Sequence, residues 1–193
     1  MARTSTSRDQ FIDGAARLFR QRGYNGTGLK DITAESGAPW GSLYHHFPGG
    51  KSQLGAEAIR HSGDGYRRLI AKVFADADEP TEAVLRFFSL AAEALEASDF
   101  ADGCPIATTA LDTASTNPDV RDACAGVFQD WLDDISARLE PGVDRQGIAL
   151  MGLAALEGAI ILSRSLRSRQ PLDDVAAQLR ALLELRRTVA RLT

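Results

Sequence analysis

Apolar residues recur at helical spacing along nearly the whole chain, and this pattern constrains the fold more than any other feature. In the first segment, Phe11, Ile12, Ala15, Leu18 and Phe19 occupy positions i, i+1, i+4, i+7 and i+8 and therefore form one apolar stripe. Further stripes follow towards the C-terminus, and we find no convincing strand pattern. The sequence therefore predicts an all-α fold of about nine helices.

Caps and helix breakers give the expected bounds of these helices. Ser7 and Gln10 form the pattern of a capping box, and Gly23 is placed to end the first helix. Two short helices are expected next, over residues 29–36 and 39–47. The later helices are expected to begin near Lys51 or Ser52 and then to cover residues 81–97 with Thr81 as the cap, 105–113, 118–139, 144–167 and 172–191.

Charge is distributed unevenly along the chain, whose formal net charge is −4. Residues 1–72 contain 11 Lys and Arg against 6 Asp and Glu, whereas residues 73–193 contain 11 against 20. A basic head on an acidic body suggests that the head alone meets a polyanion. Modest imbalances are also common on solvated faces, so charge alone does not decide this.

The stretch GSLYHHFPGGKSQL, Gly41 to Leu54, contains two histidines, a glycine pair and a Gly-Lys-Ser. It does not form a phosphate-binding P-loop, because His45 stands where the first glycine is required and a helix precedes it. His45 and His46 are neighbours, so on a helix they point about 100° apart and do not share one metal ion comfortably. Nucleophile elbows and evident carboxylate pairs are also missing. We therefore expect no metal, no cofactor and no enzyme activity.

A third interpretation fits this stretch better. Two short helices separated by a Gly-Ala-Pro turn and packed on a longer first helix form a helix-turn-helix. Leu43 and Phe47, at i and i+4, are expected to hold the third helix to the head. Tyr44 and His46 can then donate to phosphate oxygens, and Lys51 adds a cation at the start of the next helix. The expected polyanion is therefore double-stranded DNA.

The run FIDGAARLFRQRGYNGTGLKDITAESGAPWGSLYHHFPGGKSQL resembles the DNA-binding head of the TetR family of bacterial repressors. The shared parts are A-x-x-L-F-x-x-x-G-Y, the second helix with its D-I-T, and G-x-L-Y-x-H-F followed by a lysine. In the body, GCPIATTALDTAS and the following Asn117-Pro118-Asp119-Val120-Arg121 resemble the LmrA/YxaF-like subgroup. The resemblance implies a helix-turn-helix domain over residues 1–50 and a helical effector-binding and dimerisation domain over residues 51–193.

The resemblance also implies which side chains meet DNA. Phosphate contacts are implied for Thr27, Tyr44, His46 and Lys51. Contacts in the groove are implied for Lys30, Pro39, Trp40, Gly41, Ser42 and His45. Two positions depart from the family pattern: Gly28 stands where Ser or Thr usually caps the second helix and meets a phosphate, and Trp40 replaces a small or basic residue. The operator sequence is therefore not transferable from relatives.

One helix-turn-helix buries little surface, so such heads usually work as two-fold dimers. We expect the last two helices of each chain to form the homodimer interface as a four-helix bundle. The alternative is that their apolar faces belong to the internal core. The expected interface residues are Leu153, Leu156, Ile160, Leu179, Leu182 and Leu183.

The body is rich in aromatic residues for a helical core, which suits a cavity for a small-molecule effector. Glu157 lies alone in an apolar helix and is either a polar group of that cavity or a solvated or interface residue. The candidate effector-binding residues are Phe88, Cys104, Phe128, Trp131 and Glu157. Cys104 and Cys124 lack CxxC spacing, so they are expected to be buried structural thiols, with a redox pair as the alternative.

These expectations combine into a ligand-responsive DNA-binding regulator. A small apolar or aromatic molecule would bind the body, tilt the long fourth helix and release a palindromic operator, which makes the protein a repressor. The alternative is a helical architectural DNA-binding module without an effector. The apolar segment Ala149 to Leu162 is interrupted by Gly152, Glu157 and Gly158, and the N-terminus lacks an export signal, so we expect no membrane partner and a cytoplasmic location.

Overall fold

The computed structural model describes residues 6–140 and 144–190, which form nine α-helices and contain no strand. A 3₁₀ turn, Trp40–Ser42, leads directly into the third helix. The helices are α1 (Ser7–Arg22), α2 (Leu29–Ser36), α3 (Leu43–His46), α4 (Gly50–Asp76), α5 (Pro80–Ala97), α6 (Pro105–Thr113), α7 (Pro118–Ser136), α8 (Arg145–Leu166) and α9 (Gln170–Ala190). The predicted all-α fold is confirmed.

The N-terminal caps differ from the expected ones at two helices, by one residue at α1 and by two residues at α5. Thr6, rather than Ser7, caps α1: the Asp9 N–H donates to Thr6 Oγ1, and the Thr6 N–H donates back to the Asp9 carboxylate. At α5 the cap position is Glu79 with Pro80 as the first helical residue, so the prediction of Thr81 was wrong. The third helix is also shorter than the predicted 39–47, because Trp40–Ser42 is wound as a 3₁₀ turn.

The chain divides into two compact units. The N-terminal unit contains the residues up to Tyr66 together with Cys104–Gln129, and the C-terminal unit contains Arg67–Gly103 together with the residues from Asp130 onward. Both α4 and α7 contribute residues to each unit. The predicted domain boundary at residue 50 falls where α4 begins, whereas the compact units divide within that helix.

The N-terminal unit is built around the apolar stripe of α1, which packs against α2, α3 and α6. All five residues of the predicted stripe are buried. Phe11 meets Phe47 edge to face, with ring centroids 6.2 Å apart. The α1–α2 turn is tied to α6 because Asn25 donates its N–H to Asp112 Oδ2 over 3.2 Å and its Nδ2 to the Asp112 carbonyl over 3.0 Å.

The C-terminal unit has a core formed mainly by α5, α8 and α9, which pack on one another. Its buried members are Val84, Leu85, Phe88, Ala92, Leu95, Leu139, Ile148, Ala149, Ala159, Leu172, Leu179 and Leu183. At its edge, Arg67 on α4 pairs with Asp134 over 2.8 Å and with Asp130 over 3.5 Å, both on α7. The hydrogen bond from Arg67 holds the pKa of Asp134 below its usual value, against the opposing effect of partial burial.

Helix α8 is long and apolar enough to cross a membrane by length and composition, with a mean hydropathy of 1.6 over its most apolar window. This finding corrects the expectation that Gly152, Glu157 and Gly158 break the segment too strongly. Only 28% of that window is buried within the chain. The helix therefore has one face in the core of the C-terminal unit and an apolar face that the chain itself leaves uncovered.

Candidate nucleic-acid interface

The recognition segment, Trp40 to His46, is held to the head by its two predicted anchors. Leu43 and Phe47 are both fully buried, and the Phe47 N–H donates to the Leu43 carbonyl over 2.8 Å. The opposite face is open: 46% of Trp40 and 55% of Tyr44 are exposed, and their rings meet edge to face at 6.3 Å. This short segment therefore projects two aromatic side chains away from the core.

The turn before the recognition segment has the geometry that a helix-turn-helix requires. Gly37 ends α2 in the left-handed conformation with φ of 67°, and its N–H donates to the Thr33 carbonyl over 3.2 Å. Ala38 is then buried, and Pro39 is exposed at the start of the 3₁₀ turn. Ser42 closes that turn, because its N–H and its hydroxyl both donate to the Pro39 carbonyl.

The two histidines follow Tyr44 on the same segment. His45 is exposed and His46 is half-buried, with ring centroids 5.3 Å apart. The His46 ring also lies 6.3 Å from that of Phe47, which restricts its orientation. In residues 6–140 and 144–190, no group of three or more His, Cys, Asp or Glu side chains is arranged to hold a metal ion.

Lys51 lies at the start of α4, one residue after Gly50, whose φ is +64°. Its ammonium lies over the ring of Tyr24, with Nζ 4.1 Å from the ring centroid. Burial lowers the pKa of Lys51, and the charges of Asp112 and Asp31 oppose that shift. The cation thus lies against an aromatic face, and the charges of two acidic side chains act on it.

Thr27 does not have the role that the family resemblance implies for it. The side chain is fully buried, and its hydroxyl donates to the Gly23 carbonyl over 2.8 Å. The Thr27 N–H is also used, because it donates to the Tyr24 carbonyl over 3.2 Å. We therefore correct this assignment: in this structure Thr27 stabilises the α1–α2 turn and does not face a phosphate.

Gly28 and Lys30 lie beside Thr27 at the exposed start of α2. Gly28 occupies the cap position without a side-chain cap, and its own N–H donates to Asp31 Oδ2 over 2.8 Å. Lys30 is exposed. The candidate DNA-contacting residues that keep some surface all belong to the N-terminal unit; they are Gly28, Lys30, Pro39, Trp40, Gly41, Ser42, Tyr44, His45, His46 and Lys51.

Sequence reasoning missed Tyr24, which lies beneath Lys51, and Asn117, which binds Tyr24. The family pattern contains Tyr24 and the subgroup segment contains Asn117, but neither pattern assigns a contact to these side chains. In the structure, Asn117 Nδ2 donates to the Tyr24 hydroxyl over 3.1 Å, and Ser52 Oγ donates to Asn117 Oδ1 over 3.0 Å. The family motifs contain both residues, but motif spacing does not indicate that they meet.

The expected dimer residues differ in how far the single chain leaves them exposed. Leu179 and Leu183 are buried in the core of the C-terminal unit, and Leu156 and Ile160 pack against that core. Leu153 is half-buried, and Leu182 is exposed. The large apolar residues that the chain leaves uncovered on these two helices are Leu150, Ile161, Leu162 and Leu166 on α8 and Leu182 and Leu185 on α9. Apolar residues occur on all faces of α8, so their periodicity does not indicate which face packs into the core.

The five candidate effector residues are divided between the two units. Phe88 and Trp131 are buried and Glu157 is half-buried in the C-terminal unit, whereas Cys104 and Phe128 belong to the N-terminal unit. The structure therefore does not gather all five within one unit. A cavity of about 30 Å³ in the C-terminal unit is lined by residues that are not among the candidate effector residues: Pro80, Thr81, Leu139, Glu140, Ile148, Leu183 and Arg186. It has room for one or two water molecules.

Both cysteines are free and buried. Cys104 caps α6, where the Ala107 N–H donates to its sulfur over 3.5 Å. Burial raises the pKa of Cys124 to about 11, so its reactive thiolate form is suppressed at neutral pH. This agrees with the interpretation of buried structural thiols.

The fold and the exposed recognition segment together define a helix-turn-helix protein. The family model described as "Bacterial regulatory proteins, tetR family" matches residues 11–58. The model described as "Transcriptional regulator LmrA/YxaF-like, C-terminal domain" matches residues 80–178, more than half of the chain. The chain belongs to the TetR family of DNA-binding transcriptional regulators, in its LmrA/YxaF-like group.

Two known regulators align with this chain over nearly its full length. The HTH-type transcriptional regulator YxaF of Bacillus subtilis is 34% identical over 187 residues, which cover 95% of this chain and 98% of YxaF. The regulator LmrA of the same organism is 32% identical over 182 residues, covering 92% of this chain and 97% of LmrA. Both relatives are named HTH-type transcriptional regulators.

Solved structures show the same fold. The regulatory protein TetR from Rhodobacter sphaeroides superposes with a TM-score of 0.83 at 22% identity, covering 92% of this chain and 98% of that one. A cysteine mutant of the TetR family regulator CifR, complexed with 26bp double-strand operator DNA, superposes with a TM-score of 0.78 at 22% identity, covering 94% and 98%.

Proposed function

We propose that this protein is a cytoplasmic, ligand-responsive repressor. It binds a palindromic operator as a homodimer and leaves that operator when a small apolar or aromatic molecule binds its C-terminal unit. The single observation that carries the proposal is the two-sided recognition segment, with Leu43 and Phe47 buried beneath exposed Trp40 and Tyr44. Relatives support it, because DhaR from a Mycobacterium strain is named a transcriptional repressor and CifR was solved on operator DNA.

The DNA contacts divide into two kinds. Tyr44, His46 and Lys51 donate to phosphates and fix the position of the head on the duplex, and the N–H groups at the start of α4 favour the same anion. Pro39, Trp40, Gly41, Ser42 and His45 enter the major groove together with Lys30. Because Gly28 has no side chain, only its backbone can contact DNA at that position. Sequence preference then depends mainly on the groove-facing residues.

The uncovered apolar faces of α8 and α9 form the homodimer interface. Leu150, Ile161 and Leu162 on α8 and Leu182 and Leu185 on α9 are exposed in the single chain. Leaving this much apolar side-chain surface in water is unfavourable, and a second copy of the same two helices buries it as a four-helix bundle. A two-fold dimer carries two recognition segments and therefore matches a palindrome.

The effector binds within the C-terminal unit, whose core includes Phe88 and Trp131. The cavity of about 30 Å³ beside Leu139, Ile148 and Leu183 is too small for such a molecule, so binding at that place requires the core helices to separate. Ser163 on α8 supports a ligand with one polar group, because its buried hydroxyl has no hydrogen-bond partner among the described residues. Since α4 begins beside Lys51 and continues into this unit, displacement of α4 alters the spacing of the two heads.

Selection from a pool of random duplexes tests the DNA-binding part. We expect purified protein to enrich an inverted repeat whose half-sites lie about 10 base pairs apart or a multiple of that distance. Salt-sensitive binding without any enriched sequence would favour the architectural alternative. A protein that retains no duplex even at low ionic strength would contradict DNA binding altogether.

A ligand panel then tests the response. Apolar and aromatic molecules that raise the melting temperature of the free protein are added to the complex with the selected operator, which is followed by fluorescence anisotropy. We expect at least one of them to weaken operator binding by about 5- to 150-fold. Ligands that stabilise the protein without changing its affinity for the operator would oppose the release mechanism.

A further inference from the structure

We infer that Asn117 is a positioning residue for the phosphate contact of Lys51 and that it acts through Tyr24. This inference rests on the proposed DNA-binding function and adds a residue far outside the helix-turn-helix to its machinery. Asn117 lies between α6 and α7, 93 positions after Tyr24. The contacts form a continuous chain from that loop to the ammonium of Lys51.

Tyr24 is the platform on which the ammonium lies, with Lys51 Nζ 4.1 Å from the ring centroid. The ring is buried and fixed from two sides. Phe19 packs against it with centroids 5.6 Å apart, and a Cβ placed at Gly55 would come within 2.7 Å of Tyr24 Cε2. An aromatic ring held this firmly gives the ammonium a defined place instead of a choice of rotamers.

Asn117 holds the other end of the same ring. Its Oδ1 accepts from the Val120 N–H over 3.2 Å and from Ser52 Oγ over 3.0 Å. Because a backbone N–H only donates, the oxygen must face Val120, and the Nδ2 group therefore faces the Tyr24 hydroxyl at 3.1 Å. One amide thus fixes both the phenol beneath Lys51 and the residue that follows Lys51 in the chain.

The consequence for DNA binding is entropic and geometric. A free lysine side chain loses much rotamer freedom when it is immobilised on a phosphate. A lysine already confined over a ring loses less, so the same contact is stronger when the ring is in place. The Ser52 hydroxyl also lies 3.2 Å from Asp119 Oδ2, so its single proton can bond to Asn117 or to Asp119, and either bond ties the first turn of α4 to the start of α7. Loss of Asn117 therefore weakens DNA binding without removing any charge.

A double-mutant cycle tests this inference, using a fluorescent duplex of mixed sequence and about 30 base pairs, because phosphate contacts do not depend on sequence. Affinity is measured at several salt concentrations for wild type, N117A, K51M and the double variant. We expect N117A to weaken binding by about 3- to 30-fold in the wild-type background and to have no effect in the K51M background. K51M itself should lower the salt slope by about one unit.

Tyr24→Phe provides a second variant if N117A folds poorly. It keeps the ring but loses the hydroxyl that Asn117 holds, and its effect should likewise disappear in the K51M background. Asn25→Ala is the matched control: it removes another amide hydrogen bond, from Asn25 Nδ2 to the Asp112 carbonyl. It keeps the bond from the residue 25 N–H to the Asp112 carboxylate, whose charge acts on Lys51. Its effect should be equal in both backgrounds, as expected for a purely structural contact.

The outcomes separate this inference from the proposed function. Wild-type protein that binds no duplex at low salt overturns both. Duplex binding that K51M leaves unchanged overturns the inference alone, and so does an N117A effect of equal size with and without Lys51. An effect of N117A that requires Lys51, together with the equal effects of Asn25→Ala, supports it.

Discussion

Asp112 occupies the space that a side chain at position 23 would need: a Cβ built on Gly23 would lie 2.2 Å from Asp112 Oδ2. Gly23 also has φ of 70° and ψ of 179°, a region that residues other than glycine rarely adopt. Beside it, the Asp112 carboxylate accepts from the Asn25 N–H. The end of α1 and helix α6 therefore approach each other this closely because position 23 has no side chain.

Gly23→Ala should lower the free energy of unfolding by about 1–3 kcal/mol, because alanine is strained at this φ and meets Asp112. The measurement is urea unfolding followed by circular dichroism. Gly126→Ala is the matched control in the same unit, because a Cβ at Gly126 meets nothing within 4 Å. Alanine at this helical position should raise the free energy of unfolding by about 0.5–1 kcal/mol. Equal effects of the two substitutions would refute the importance of the Gly23 contact.

Ile161→Glu should convert the proposed homodimer into a monomer, because a charge would be placed in the centre of an apolar interface on α8. Sedimentation velocity at micromolar concentration measures the change, and operator affinity should fall with it. Leu111→Glu is the control: Leu111 is 76% exposed on α6, outside the α8 and α9 faces, so its replacement should leave the oligomeric state unchanged. A wild-type protein that sediments as a monomer would disprove the dimer.

The uncovered α8 face raises a second explanation, which the same variants address. If that face met a lipid surface rather than a second copy, wild-type protein would float with phospholipid vesicles and Ile161→Glu would abolish flotation. We expect no flotation of the wild-type dimer, because its apolar face is already covered.

The helix-turn-helix was predictable from sequence because its determinants are local. Leu43 and Phe47 are one helical turn apart, and Gly37 and Pro39 mark the turn before them, so short-range spacing suffices. The same reasoning could not assign the inner face of α8. Small and apolar residues occur on all faces of that helix. The hydrophobic pattern therefore does not distinguish Leu150, which is exposed, from Ala149, which is buried.

The contact between Asn117 and Tyr24 was unpredictable for a different reason. The two residues meet only because α6 returns the chain to α1, and their local partners, Val120 for Asn117 and Phe19 for Tyr24, do not indicate this contact. At Thr27, by contrast, a local motif predicts a contact, with a phosphate, that the structure does not support. Its hydroxyl instead donates to the Gly23 carbonyl in the turn that the motif itself forms. Family motifs identify positions, whereas the packing of distant helices decides what each side chain touches.

Arg67→Met should make stability less dependent on pH in mildly acidic solution. Arg67 holds the pKa of Asp134 below its ordinary value of 3.8, so the ionised carboxylate stabilises the fold above that value. This contribution is lost as pH falls through 3.8 towards the lower folded-state pKa. We expect the variant to lose at most about 1 kcal/mol at pH 7 and to show a shallower decline below pH 5.

Unfolding at a series of pH values measures this difference. Arg121→Met is the control, because Arg121 pairs with its exposed neighbour Asp122 on the surface of α7. That pair should contribute little at any pH. A decline at low pH that is as steep in Arg67→Met as in wild type would exclude the pair of Arg67 and Asp134 as its source.

Cys124 should react slowly with a thiol reagent in the native protein. Its pKa of about 11, against an ordinary value of 9.0, lowers the thiolate fraction near pH 8 by about 100-fold, and burial restricts access further. We expect native protein to react far more slowly than protein unfolded in guanidinium. The unfolded protein should consume two equivalents of the reagent. Rapid reaction of the native protein, lost in C124S, would reopen a redox role.

Trp40 and Trp131 provide separate optical probes of the two units. Trp40 is 46% exposed on the recognition segment, whereas Trp131 is 4% exposed in the C-terminal unit. Acrylamide should therefore quench mainly Trp40 in the free protein. Because Trp40 enters the groove in the proposed complex, saturating duplex should protect it and lower the quenching constant.

The variants W40F and W131F assign this signal. W131F should retain the full protection by DNA, and W40F should show weak quenching that DNA does not change. Anisotropy of a labelled duplex confirms that each variant is saturated, so that a lack of protection is not confused with a lack of binding. If quenching of W131F stayed constant while its anisotropy reported complete binding, Trp40 would lie outside the interface and the recognition segment would have to meet DNA through its histidines instead.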